Sequence, residues 1–409
     1  MSWAAGLRRP RAVVLLATAL ALAGAGGYVA WSRARTDELL RRGEEALERH
    51  DYSAAHEYID RYLAKRPGDT HALLLAARTA RRLRNSPDAR EHLRRYREGG
   101  GGAEPAVVEE ALIDLQRGDL SAVPFLRERA SRDDDLALVI LEVLIQHDLD
   151  TYQLAVALDE FTRYLRRRPD DLKALMGRGY VWERFLYFSD ALADYQKAVA
   201  AHPDHEPARL KLGDTLLIVG TPEEALEQYR WLAERRPEQV EVRLGLARCY
   251  RRMARPEEAA RLLDGILKED PEHAGAVWER GELELQQGRP AEAERLLRRA
   301  AGKLPYDQRV HYAMYRCLLQ LNRPKDAEAY NARAAQLEAD LRRLSELRLE
   351  VMKRPNETAL RCEGGLLFLR NGEREEGRRW LQLALRLDPK CEAARTALTA
   401  DPPAPPKLP

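Results

Sequence analysis

Three short stretches of this sequence place chemically capable side chains close together. His202-Pro-Asp-His205 brings two imidazoles near enough to share a metal ion, Asp133-Asp134-Asp135 gathers three carboxylates, and Gly99 to Gly102 resembles a backbone cradle for phosphate. Each has a plainer reading. The histidines have no third ligand nearby in sequence and suit a solvated turn. The Asp run precedes an apolar stretch, where carboxylates cap a helix start and face its dipole. The Gly run follows a helical pattern rather than a strand, so it reads as a hinge. Cys249, Cys317, Cys362 and Cys391 form no CxxC or Cys/His cluster, which encodes neither a zinc site nor a disulfide framework. Cys249 and Cys317 read as small buried apolar residues. The sequence holds no nucleophile elbow, HExxH or Walker loop. The expectation is a chain with no catalytic residue, no metal and no cofactor: not an enzyme.

The elements that carry these residues are helical. The 409 residues are rich in Ala, Leu, Glu and Arg, with only 5 Phe, a composition that favours helices over sheets. The 68 basic side chains are balanced by 66 acidic ones, giving a formal charge of +2, so no global field gathers nucleic acid. One segment departs from this composition. Ala12 to Trp31 is uncharged over 20 residues, a helical length of about 30 Å that matches a bilayer core. Arg8, Arg9 and Arg11 precede it, Arg33 and Arg35 follow, and Tyr28 and Trp31 suit the membrane interface. Ala23-Gly24-Ala25 offers the competing reading of a cleaved signal peptide. Retention is favoured because the apolar run continues to spanning length. The expected location is a single-pass N-terminal anchor with the rest of the chain on the extracytoplasmic side.

Beyond the anchor a period of 34 runs through the chain. Pro169, Pro203, Pro237, Pro271 and Pro305 hold one register, with Pro67 in the same phase. Ala55, Ala89, Ala157, Ala191, Ala225, Ala259, Ala293 and Ala327 hold a second, and Pro222, Pro256, Pro290 and Pro324 a third. A fourth is kept small: Gly43, Ala77, Ala111, Gly179, Gly213, Ala247, Gly281 and Gly365. These registers resemble the tetratricopeptide repeat, an antiparallel pair of helices. The unit from Leu172 to His205 carries its pattern as Leu175, Gly179, Trp182, Ala191, Tyr195, Ala198 and Pro203. Nine units start at 36, 70, 104, 138, 172, 206, 240, 274 and 308, and a tenth at 358. The fold expected is an all-α solenoid of about ten such units after a transmembrane helix.

The small eighth position of each unit lets its first helix approach the second, where the twentieth-position Ala is expected to face it. Thr221-Pro222-Glu223-Glu224 reads as an N-cap with a capping box. The unit from 104 to 137 lacks the Ala and the closing Pro. The second helix of the ninth unit runs on from Lys325 toward Met352, with Tyr330, Ala334, Leu337, Leu341, Leu344 and Val351 as a stripe that reads as packing on the tenth unit, a coiled-coil seam being the alternative. The segments expected are an anchor at 1–35, units 1 and 2 at 36–98, a Gly linker and degenerate unit at 99–137, units 4 to 9 at 138–341, a helical extension at 342–357, unit 10 with a capping helix at 358–399, and a Pro-rich tail at 400–409.

The resemblance implies that positions 2, 5, 9, 12 and 13 of each unit line a concave groove. Those positions include Tyr180, Glu183 and Arg184, then Asp214, Leu217 and Ile218, then Glu241, Arg248, Arg251 and Arg252, then Trp278 and Glu282, and then Arg309, Tyr312 and Arg316. From 241 to 320 they hold five Arg against two Glu. Arg and aromatic side chains are the types that anchor interfaces. The function expected is a membrane-anchored scaffold that binds a protein or peptide, plausibly acidic, through this groove; the rival is an exported protein or a structural, non-catalytic subunit of a membrane enzyme or export complex. A solvated, Arg-rich face is the plainer account of the same residues.

The anchor is open to direct test. Full-length protein is expected to stay in the membrane pellet through high salt and carbonate, because hydrophobic insertion is not screened as charge attraction is, whereas a chain starting at Thr36 is expected in the supernatant. A mature N-terminus at Gly26 replaces the anchor with a secreted protein.

Overall fold

The computed structural model describes residues 31–132, 134–354, 356–400, 406 and 408. All regular structure among them is helical. Residues 31–48 form α1, followed by α2 (Tyr52–Leu63), α3 (Thr70–Arg82), α4 (Ser86–Glu98), α5 (Ala103–Gln116), a 3-10 turn at Leu120–Ala122, α6 (Val123–Ala130) and α7 (Asp135–Asp150). There follow α8 (Leu154–Arg167), α9 (Leu172–Arg184), α10 (Phe188–Ala201), α11 (Glu206–Val219), α12 (Pro222–Arg235), α13 (Val240–Arg252), α14 (Pro256–Glu269) and α15 (Ala274–Gln286). The last are α16 (Pro290–Lys303), α17 (Gln308–Gln320), the long α18 (Pro324–Lys353), α19 (Thr358–Arg370), α20 (Arg374–Leu387) and α21 (Glu392–Thr399). The chain divides into two units, one ending at Leu144 and one beginning at Ile145. From α2 to α6 and from α8 to α21, consecutive helices pack as neighbours. The expected span lies on residues outside the described part, Trp31 excepted. No helix among the described residues is long and apolar enough to cross a membrane.

Capping residues and prolines set the helix boundaries. Asp51, Asp69 and Asp171 each accept the N–H three residues on, at 3.1, 3.1 and 2.8 Å, which satisfies donors that a helix start leaves free. Asp134 does the same for Ala137 at 2.9 Å. The imidazoles of His205 and His273 take this role too, their Nδ1 atoms accepting from Ala208 and Ala276 at 3.2 and 3.1 Å. Burial, with His202 nearby, pushes His205 below its ordinary value, in keeping with an accepting nitrogen. The capping box at Thr221 does not form: its hydroxyl donates back to the Leu216 carbonyl at 3.2 Å instead.

Between the two helices of every repeat stands one residue in the left-handed region. His50, Arg84, Gly118, Tyr152, Leu186, Gly220, Ala254, Gly288 and Asn322 follow one another at the repeat period, and Gly372 holds the same place in the last repeat. Gly118 keeps this turn in the repeat whose Ala and Pro are missing, so the period persists there. Six of the ten have a side chain, at a strain of about 1 kcal/mol each. Apart from these, Gly100 is the one described residue with positive φ.

The helix contacts explain the small eighth position, with one correction. A Cβ on Gly179 would lie 2.5 Å from Tyr195, on Gly213 3.0 Å from Tyr229, and on Gly281 3.0 Å from Leu297. The residue that fills the space is thus the twenty-fourth of the unit. The twentieth-position alanines are fully buried beside it, Ala191 and Ala225 among them. In α18, Tyr330, Leu337, Leu344 and Val351 are buried as the stripe requires, while Leu341 is exposed.

Consecutive repeats are also tied by charge. In the first unit the Nε atoms of Arg78 and Arg81 each donate at 2.8 Å to one oxygen of Glu109, which is fully buried. Burial works to raise this carboxyl, but Arg81 and Arg78 outweigh it and hold it below the usual range. In the second unit the ends meet. The Tyr152 ring lies 6.1 Å from that of Trp380 on α20, and Arg184 Nη2 of α9 is 2.8 Å from Glu376 Oε1.

Two outcomes follow for stability. Gly179→Ala is expected to destabilise by about 1–3 kcal/mol, since the buried Tyr195 ring has nowhere to move, whereas Gly265→Ala in α14, where a Cβ meets nothing within 4 Å, is expected to stabilise by up to about 1 kcal/mol. Urea unfolding that finds both neutral rejects the packing described. Glu109→Gln is expected to lose about 3 kcal/mol at neutral pH by leaving two arginines unpaired. A depressed folded-state value gives stability above the ordinary carboxylate range that is lost as pH falls through it, so the gap between variant and wild type should close on acidification.

Candidate protein-binding groove

Four helices of the second unit border a recess of about 340 Å³. From α11 come Asp214, Leu217 and Ile218; from α13 Arg248, Arg251 and Arg252; from α15 Trp278 and Glu279; and from α17 Arg309. Four guanidinium groups thus face two carboxylates. The anchor of this arrangement is Glu279, 1% exposed, which accepts from Arg248 Nε at 2.7 Å and from Arg251 Nε at 2.8 Å. The same tie joins Arg78 and Arg81 to Glu109, with identical sequence separations of 31 and 28. It is first a rivet between repeats. Arg309 forks onto Asp307 at 2.7 and 3.0 Å and stacks on Trp278 at 4.6 Å, with Arg251 6.0 Å from that ring. Such stacking is electrostatic, the cations resting on the electron-rich ring.

Arg252 differs from its neighbours. Its guanidinium donates to the Leu217 carbonyl and meets no carboxylate among the described residues. Together with Arg251 it also borders a second recess of about 540 Å³ beside Ala254, Pro256, Leu283 and Gln286. A neutral acceptor leaves its full charge available to an incoming anion. Ile218, 53% exposed, supplies an apolar rim. Asp214 accepts the Tyr229 hydroxyl at 2.7 Å, which fixes the acid at the recess edge.

The structure therefore gathers four of the expected residues, Arg248, Arg251, Arg252 and Trp278, and places the other four elsewhere. Arg316 bonds Glu282 at 3.1 Å outside the recess lining, and Tyr312 is 47% exposed with its ring 5.9 Å from Tyr315. Arg184 faces Glu376, and Tyr180 is exposed on α9 away from the recess. Trp278 is only 7% exposed, so it acts as a buried platform for arginines rather than a projecting anchor. Glu279 was not singled out by sequence, although an Arg pair spaced by three with a Glu 28 residues beyond the second recurs in both units.

The other chemical clusters resolve as packing. Burial pushes the Cys249 thiol up to about 12 and the Cys317 thiol up to about 11, far from reactive thiolates. Burial and then the Cys391 thiol, distant in sequence, likewise push Cys362 up to about 11. Among the described residues no three His, Cys, Asp or Glu side chains are arranged around a metal site.

Comparison with known proteins agrees with the repeat geometry. Two family profiles described as Tetratricopeptide repeat match, one over residues 40–104 and 144–206 and one over 216–279 and 284–348. No curated protein sequence matches. Solved structures similar to the chain include a tetratricopeptide repeat protein from Parabacteroides merdae, 17% identical over 69% of this chain and 98% of that one, with a TM-score of 0.36. PilW, a type IV pilus biogenesis factor, is 16% identical over 51% of this chain and 94% of its own, with a TM-score of 0.40. YrrB, described as a TPR protein with an unusual peptide-binding site, is 20% identical over 46% of this chain and 94% of its own, at 0.37. Since the two profiles together match more than half of its residues, the chain belongs to the tetratricopeptide repeat family.

Proposed function

We propose that this chain is a membrane-anchored scaffold that binds an acidic or phosphorylated segment of a partner protein in the recess bounded by α11, α13, α15 and α17. The observation that carries the reading is the surplus of guanidinium groups there, with no acidic partner for Arg252 among the described residues beside the exposed Ile218. Arg presents planar pairs of donors that match carboxylate and phosphate, and an apolar rim adds affinity without charge. The uncharged run from Ala12 to Trp31, flanked by arginines, supports the anchor. It would hold the repeats at a bilayer, on its extracytoplasmic side, and raise the effective concentration of a partner in the same membrane.

The rivet decides which residue to test. Reversing Arg248 would break the bond to buried Glu279, and removing Trp278 would empty a core position at about 3–5 kcal/mol, so neither isolates binding. Arg252→Glu is the clean variant. It is expected to weaken a fluorescent Asp/Glu-rich peptide, and its phosphoserine counterpart, at least tenfold, or about 1.4 kcal/mol, while the circular dichroism and unfolding midpoint stay unchanged. Ile218→Asp should weaken the same peptides. If both variants bind the acidic peptides as wild type does, the recess is not the binding surface.

A further inference from the structure

Away from the recess, the second unit contains a cavity where its last repeats return to its first. The cavity holds about 30 Å³, room for about two waters or one small ion. Its walls include Tyr152 before α8, Arg348 of α18, Arg361 of α19 and Trp380 of α20. All four carry a buried hydrogen-bonding atom with no partner among the described residues: the Tyr152 hydroxyl, Nε of Arg348, Nε of Arg361 and the indole N–H of Trp380, which lies toward Glu376 without reaching hydrogen-bond geometry. Arg361 is only 4% exposed. The two guanidinium groups rest on aromatic faces, Arg348 5.3 Å from Phe368 and Arg361 5.6 Å from Trp380, which offers attraction but no acceptor.

The charges around this place do not balance. Glu376 lies 2.8 Å from Arg184 without hydrogen-bond alignment and is attracted by Arg379, Arg184 repels Arg348, and Glu373 attracts Arg348 without bonding it. Burial, then repulsion from Arg184, lowers Arg348 to about 10, and burial alone lowers Arg361 to about 10. Burial raises Glu376 to about 7, with Arg379 and the Trp380 indole acting the other way. Both arginines therefore remain cationic at neutral pH. A buried and a half-buried cation on one cavity, each with a buried Nε that meets no acceptor among the described residues, are costly, and water would satisfy their N–H groups but not their charge.

We propose that this cavity binds a small monovalent anion, chloride or a formate-sized carboxylate, held by Arg348 and Arg361 with the Tyr152 hydroxyl. The ion joins side chains from the first and last repeats of the unit, so its binding favours their contact.

The test uses full-length protein in non-ionic detergent, with sodium chloride, sodium formate and sodium gluconate compared at equal ionic strength, gluconate being too large for the cavity. Chloride or formate is expected to raise the thermal midpoint over gluconate by roughly 3 °C or more. Arg361→Met and Arg348→Met should each lose that difference, and Arg361→Met should be at least as stable as wild type in gluconate, since it removes an uncompensated charge. Arg252→Glu should keep the difference, which separates this cavity from the recess. A response to both ions identifies the shared anion chemistry, and a response to one alone selects halide or carboxylate. Equal midpoints for wild type in all three salts, as a water-filled cavity gives, or the same rise in Arg361→Met, would overturn the proposal. Should Arg361→Met fail to fold, broadening of the chloride NMR line by wild type, relieved by formate, decides the question, and no broadening overturns it.

Discussion

The close approach of the two helices in each repeat is the constraint on which everything else rests. At the eighth position the first helix gives up its side chain, and the twenty-fourth residue of the second fills the space, as Tyr195 does over Gly179 and Tyr229 over Gly213. Dense packing of this kind leaves no slack for even one added methyl group. Tyr229 would also meet a Cβ at Gly245 of the next repeat, at 2.2 Å, so one ring gauges both the spacing within its own repeat and the spacing to its neighbour. The recess between α11 and α15 inherits its width from these contacts.

Charge is layered on that packing with two duties. Arg248 and Arg251 hold Glu279 across a repeat boundary, and Arg78 and Arg81 hold Glu109 in the same way. A guanidinium has five donors in a rigid fork, and the Nε bonds to the glutamate leave the outer edge of each group uncommitted to it. Structural and binding roles can therefore share one side chain, which is why a count of groove arginines overstates the number that can be changed without harm. Arg252, bonded to a carbonyl and to no carboxylate among the described residues, is the exception.

Much of this was legible from residue types at fixed spacing. Prolines at the first helical position and small residues at the eighth gave the helix pairs, because backbone and steric constraints act within one repeat. The left-handed turn was hidden, since six of its ten positions carry residues such as Leu186 and Ala254 that do not advertise positive φ. The partner of the eighth position lies one helical turn beyond the twentieth residue that the spacing suggests, at the twenty-fourth. Trp278 read as an exposed anchor because a facing rule gives direction but not depth. Contacts over long separations, such as Tyr152 with Trp380 and Arg184 with Glu376, depend on how small rotations accumulate from repeat to repeat, and no local pattern records that sum.

The meeting of first and last repeats changes how the second unit can come apart. In an open stack of repeats each contacts only its neighbours, and unfolding spreads inward from ends that have one interface each. Here the residues at the start of the unit, Tyr152 and Arg184, are already engaged by α20. Each end then has a contact beyond its single repeat interface. Those contacts oppose fraying from the tips, so a bound partner would act on a unit whose ends are held to each other rather than on a spring free to stretch.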